Sequence, residues 1–174
     1  IYDFDDAFYL KYRRGRFFWL SPLLGRKFDH LLTAAKAVTA GNSSLAEYAH
    51  GFNKDVVVIP SVVDIHKLRP VSVAHRRLPS SIFTIGWIGS PSTALYLQLL
   101  VEPLAKLALE RKIQFLVIGG TAPKISGVDV IEKPWNLEQE LDMIRQFDVG
   151  VMPLPDSDWA RGKCAYKLIQ CMAC

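Results

Sequence analysis

Gly162-Lys163 and Lys167 follow the apolar run Asp148-Val-Gly-Val-Met-Pro-Leu-Pro155, which reads as a buried strand ending in a loop. Two lysines four apart fall on one face at the start of a helix. Free amides and positive charge at a helix start suit an anion, and lysines there act as point charges on a diphosphate. A solvated helix start is the plainer use, although two lysines in the first turns oppose the helix dipole unless an anion is bound. A second strand-to-loop junction, Gly86-Trp-Ile-Gly89-Ser90-Pro-Ser92-Thr93, lacks the third glycine of the dinucleotide fingerprint and the Gly-Lys-Ser/Thr of a Walker loop. Its glycines serve either a tight turn or a close backbone approach to phosphate, and ligands of open α/β sheets sit beyond such strand ends. Asp3-Phe-Asp5-Asp6 has the residue types for Mg²⁺ or Mn²⁺, but no further carboxylate-rich motif supports it, so a turn with a helix cap and no metal is expected. Cys171 and Cys174 form a Cys-x-x-Cys pair. With no second pair, and with His30, His50, His66 and His75 far away, reduced thiols on a buried helix are expected along with Cys164.

The elements that would position these residues alternate. Ile1–Phe4 reads as the tail of a strand, and 31–40 is apolar and alanine-rich. Ser44 and Glu47 fit a capping box for a helix through His50. The β-branched run 55–60 predicts a buried strand, and 67–81, with Pro70 and Pro79, predicts a linker. Beyond it come a strand at 82–88, a long helix at 94–111 broken at Pro103, a strand at 113–118 closed by Gly119-Gly120, a short strand at 128–131, a helix at 137–147 and a strand at 148–152. Strands apolar on both faces, alternating with helices, predict a parallel doubly wound sheet. The helix at the chain's end runs into Cys174 without a stop signal, which predicts a fragment cut inside an element.

Half of the 174 residues are hydrophobic and 22% are charged, a packing-competent composition rather than a disordered one. No apolar run approaches the length of a membrane span. The net charge of +4 is mild, with basic residues gathered at Lys11, Arg13, Arg14, Arg16, Arg26 and Lys27 around Phe17, Phe18, Trp19 and Leu20. That mixture suits peripheral contact with an anionic membrane through Arg13, Arg14, Arg16, Phe17, Phe18 and Trp19. The plainer expectation is a helix that packs its aromatic stripe inward. No nucleic-acid motif accompanies the patch.

Taken in order, Val38-Thr-Ala-Gly-Asn-Ser43 to Glu47, Val56-Val-Val-Ile-Pro60 to Asp64, Gly86 to Thr93, Asp148-Val-Gly-Val-Met-Pro153 and Gly162-Lys163 to Ala173 resemble the glycosyltransferase group 1 (family 4) enzymes of the GT-B fold. The resemblance runs over nearly the whole chain. It implies Rossmann-like parallel sheets in two domains facing a cleft, here truncated at both ends. Residues 1–68 would end the acceptor-side domain, 69–81 would be the linker, and 82–174 would open the nucleotide-sugar domain. It further implies retaining transfer from a nucleotide-diphosphate sugar to a glycan or lipid-linked acceptor, with no bound metal or other cofactor. By similarity Gly86, Gly89, Ser90, Ser92 and Thr93 approach the diphosphate, Lys163 and Lys167 neutralise it, and Pro134 and Trp135, after Lys133, lie near the base. The catalytic residues are not identified, because the family's histidine region would precede Ile1.

Many members carry two glutamates separated by seven residues in the last motif, and Gly162 and Gln170 stand there in this chain. A binding or scaffold module without catalysis, and a GT-B-shaped epimerase, are therefore the alternative functions. A cytoplasmic location, peripheral on the inner membrane face, fits the polysaccharide or glycolipid assembly implied. Alone, such a piece is expected to be inactive and to dimerise over its open sheet edges.

Overall fold

A computed structural model describes residues 1–13, 18–69 and 82–174. Arg14, Arg16 and Phe17 of the basic patch, and all but the first residue of the 69–81 linker, lie outside the described residues. The chain divides into two compact units, Ile1–Ser61 with Asp156–Cys164, and Val62–Pro155 with Ala165–Cys174.

In the first unit β1 (Tyr2–Phe4), β2 (Val38–Ala40) and β3 (Val56–Val58) form, among the described residues, a parallel sheet in that order. Between β1 and β2 run α1 (Tyr9–Arg13), a 3-10 turn (Phe18–Leu20), α2 (Ser21–Leu24) and α3 (Lys27–Ala34). The segment α4 (Ser43–His50) joins β2 to β3 and buries Leu45, Ala46 and Ala49 against Phe4, Leu32, Val38 and Ala40. Its cap is Asn42, which accepts from the Leu45 amide at 2.9 Å, rather than Ser44. The strand expected at 55–60 is short and half uncovered: Val57, Val58 and Ile59 are exposed, because β3 is the edge of its sheet in the described residues. Asp29 of α3 takes two bonds from Arg13, at 2.5 and 2.6 Å, and a third from the Tyr48 hydroxyl. Burial and that bond to Asp29 raise the Tyr48 phenol well above its ordinary range.

The second unit has β4 (Phe83–Ile88), β5 (Ile113–Ile118), β6 (Asp129–Lys133) and β7 (Val149–Gly150), all parallel, in the order β6-β5-β4-β7. One face carries Ile85, Trp87, Ile113, Phe115 and Val117 against Leu97 and Leu104. The other carries Ile88, Leu116 and Ile118 against Met143 and Ile144 of α7 (Glu140–Ile144). Covering both faces is what strands apolar on both sides require, and the doubly wound parallel α/β arrangement read from the sequence is found here.

The helix expected at 94–111 is three pieces: α5 (Pro91–Ala94), a 3-10 stretch (Leu95–Leu100) and α6 (Val101–Glu110). The irregularity precedes Pro103 because a proline ring clashes with the carbonyl four residues earlier, at Leu99, and offers it no donor. The helix expected at 137–147 keeps only α7. The strand expected at 148–152 keeps two residues, since Pro153 and Pro155 cannot extend a ladder. Asp148 clamps β7 to β4: its carboxylate accepts from the Thr84 amide at 2.7 Å, and its own amide donates to the Thr84 carbonyl at 2.8 Å.

Candidate functional site

Strand order locates the site in the second unit. From β4 the chain steps to β5 and β6 on one side, then places β7 on the other side of β4. The order therefore reverses between β4 and β7, and open α/β sheets bind ligands beyond the carboxyl ends of strands at such a switch point. The segments leaving that edge are 89–93 after β4, 119–122 after β5, 134–135 after β6 and 151–155 after β7.

Three of these segments meet. The Gly89 amide donates to the Ile118 carbonyl at 3.1 Å, and the Gly119 amide donates to the Lys133 carbonyl at 2.9 Å. Gly119 has φ +79°, and a side chain on it would strike the Gly89 carbonyl oxygen and come within 3.1 Å of the Trp135 Cβ. Gly89 and Gly120 lie over the Trp87 indole, which leaves room for neither to carry a Cβ. The Glu132 carboxylate holds the Ala122 amide at 2.7 Å. Trp135 is half exposed beside this junction. A groove of about 320 Å³ opens alongside, lined by Pro91, Ala94, Leu95, Gln98, Thr121 and Pro123. Ser90 and Ser92 are exposed with their hydroxyls 2.8 Å apart, and Thr93 Oγ1 receives the Ser90 amide at 3.3 Å.

The structure thus brings Gly89, Ser90, Ser92, Thr93, Pro134 and Trp135 to one edge, and adds Gly119 and Gly120, which the sequence reading used only to close a strand. Gly86 sits apart. It is buried inside β4 under the Phe147 ring, which occupies the place a side chain would take, so packing accounts for it.

The two lysines do not share a helix face. The segment α8 (Asp158–Arg161) ends at Gly162, Ala165 adopts a left-handed φ of 55°, and α9 (Tyr166–Ala173) begins only after it. Lys163 belongs to the first unit and Lys167 to the second. The Lys163 ammonium pairs with both Asp6 oxygens, at 2.8 and 3.0 Å, and lies 5.2 Å from the Trp159 ring centre. Lys167 pairs at 2.7 Å with the buried Glu140.

The remaining sequence candidates have local explanations. Asp3 accepts from the Thr39 hydroxyl, the Asp5 carbonyl accepts from the Cys164 thiol at 3.1 Å, and Asp6 holds Lys163. Among the described residues no three His, Cys, Asp or Glu side chains gather as a metal site would require. Cys164, Cys171 and Cys174 are free thiols. Gln170 is buried, and among the described residues its Oε1 has no partner. No helix in the described residues is long and apolar enough to cross a membrane.

No family model and no curated protein matches the chain. Among solved structures it is similar to the crystal structure of TarM, a GT-B-type glycosyltransferase. The identity is 14% and the TM-score 0.48, over 72% of this chain and 27% of that one. This chain spans about a quarter of TarM's length, and a likeness at this level assigns no residue a role.

Two outcomes follow from the pairs and thiols. Lys167→Met strands a carboxylate that is mostly out of water, and is expected to cost about 1–3 kcal/mol, less than for a fully buried pair because the ammonium is one-third exposed. Adding Glu140→Gln is expected to restore part of that loss in urea denaturation, whereas strictly additive losses would show that the pair does not couple.

Cys171 packs its sulfur against Gly150, and burial pushes the thiol up to about 11 from 9.0. The folded state therefore holds a proton that the unfolded chain releases. The stabilising contribution is complete below pH 9 and declines as pH rises toward 11. Alkylation of Cys171 in the folded chain is expected to stay slow at pH 8 and to accelerate up to about pH 11. Modification at pH 8 at the rate of a free thiol would contradict this.

Proposed function

We propose that this chain carries the donor-binding sheet of a nucleotide-sugar-dependent glycosyltransferase of the GT-B kind. The observation that carries the reading is the switch point between β4 and β7 in a parallel sheet whose neighbouring loops have glycines where backbone must come close. The ordered motif resemblance supplies the donor class. In this reading the backbone around Gly89 and Gly119 faces the diphosphate, and Pro134 and Trp135 flank the base. Transfer breaks the bond between the sugar's anomeric carbon and the diphosphate oxygen, the nucleoside diphosphate leaves with the electron pair, and the acceptor oxygen bonds the anomeric carbon as its hydroxyl proton passes to the leaving phosphate. The Gly89, Ser90, Gly119 and Ala122 amides are engaged within the protein, so the other backbone amides of this edge would meet the charge that develops on the leaving diphosphate. Lys167, in the same unit, is free for that charge only by giving up Glu140.

Binding without turnover is the second reading, favoured by that engagement and by Gly162 and Gln170 standing where the resemblance expects carboxylates. Calorimetric titration of the intact protein with UDP, GDP and ADP, followed by measuring diphosphate release from the matching sugar nucleotides, separates the two. Saturable binding with release supports transfer, and binding without release supports the module. No binding of any of them contradicts both.

A further inference from the structure

The aromatic pair Phe18-Trp19 does not pack inward as the plainer reading of that segment expects: the two side chains are 65% and 64% exposed. The 3-10 turn that bears them packs against α2, and α2 and α3 wall an open groove of about 530 Å³. Its lining joins aliphatic Pro22, Leu24 and Leu31 to the cationic Arg26 and Lys27 and to His30. Arg26, Lys27, His30 and Leu31 are all exposed. Asp29 is the one acidic residue between 18 and 34, and it is turned to Arg13 and Tyr48. Among the described residues no carboxylate pairs with Arg26 or Lys27. Arg13 is spent inside the unit, with its Nε donating to the Gly25 carbonyl at 3.0 Å as well.

Exposed aromatics and aliphatics beside uncompensated cations are the composition of a surface that lies in a membrane interface. The rings reach the headgroup boundary while the cations meet anionic lipid. We propose that the Phe18–Leu31 surface of the first unit docks on an anionic lipid bilayer, with Phe18 and Trp19 as the inserted anchors and Arg26 and Lys27 as the charge contacts. The surface shares Phe18, Trp19, Arg26 and Lys27 with the sequence patch, and Arg13 serves it as a brace through Asp29 and not as a lipid ligand. This holds whether or not the second unit binds a nucleotide.

The test is co-sedimentation of the chain with vesicles of phosphatidylcholine alone and of phosphatidylcholine mixed with phosphatidylglycerol. Partition into the anionic vesicles is expected, with little into the neutral ones. Arg26→Gln/Lys27→Gln is expected to lower it about 25-fold, at about fivefold for each charge, and added salt to weaken it in parallel. Phe18→Ser/Trp19→Ser is expected to lower partition while the melting temperature stays within about 2 °C, because these side chains are in water already. Absence of binding to either vesicle, equal binding to both, or full binding by either double variant would overturn the proposal.

Discussion

Gly119→Val is expected to destabilise the second unit by about 3 kcal/mol, a fall of about 10 °C in melting temperature. Two costs add. Gly119 has φ +79°, where an L-residue loses about 1–2 kcal/mol and a β-branched one fits worst. The new Cβ would also press on the Gly89 carbonyl, whose peptide is held on its other side by the Ser90 amide donating to Thr93 Oγ1 at 3.3 Å. Gly127 makes an internal control. Its φ of +75° is similar, but a Cβ there meets only the Ala108 methyl at 3.2 Å, so Gly127→Ala is expected to cost about 1–2 kcal/mol. If circular-dichroism melts rank Gly127→Ala as the worse variant, the close approach of the β4 and β5 loops is not what requires Gly119.

Phe115→Ala is expected to cost about 3–5 kcal/mol. Phe115 is fully buried in the middle of β5, which β4 and β6 flank, and its ring lies in the cluster with Trp87, Leu97, Leu104 and Val117. Alanine removes most of the side chain from a sheet face that cannot collapse, because the strands on both sides hold it in register. Leu109 on α6 is the contrast: it is 89% exposed, and Leu109→Ala is expected to stay within about 0.5 kcal/mol. The difference should read as a shift in urea midpoint with little change in slope. A loss under about 1 kcal/mol for Phe115→Ala would place the core of this unit elsewhere.

What could be read from the sequence followed from local rules. The strand Ile113–Ile118 was legible to the residue, because an apolar run with β-branched residues is bounded by Lys112 and by Gly119-Gly120. Its neighbour β4 was legible to within one residue. The edge strands were not, since β3 and β7 are cut short by pairing limits and prolines that a hydrophobic run does not express. Asn42 was missed as a cap because Ser44 with Glu47 fits the same rule, and the Asn42 amide also donates to the Arg161 and Lys163 carbonyls, a contact far away in sequence.

The lysines failed for a related reason. A spacing of four implies a shared face only if the helix is continuous, and the left-handed Ala165 interrupts it where an alanine gives no warning. Asp6 and Glu140, which hold the two ammonium groups, are visible only in three dimensions. The loop edge itself was half legible: Gly89 to Thr93 stood out by composition, whereas the part played by Gly119 appears only when two strands lie side by side.

Backbone hydrogen exchange of the chain, with and without a saturating nucleoside diphosphate, reads whether the switch-point edge of the second unit holds the diphosphate. Slowed exchange is expected at the non-proline amides within 89–93, 119–122 and 151–155, the segments leaving the carboxyl edge of β4, β5 and β7. Protection confined to other segments, or none with UDP, GDP or ADP, would contradict it.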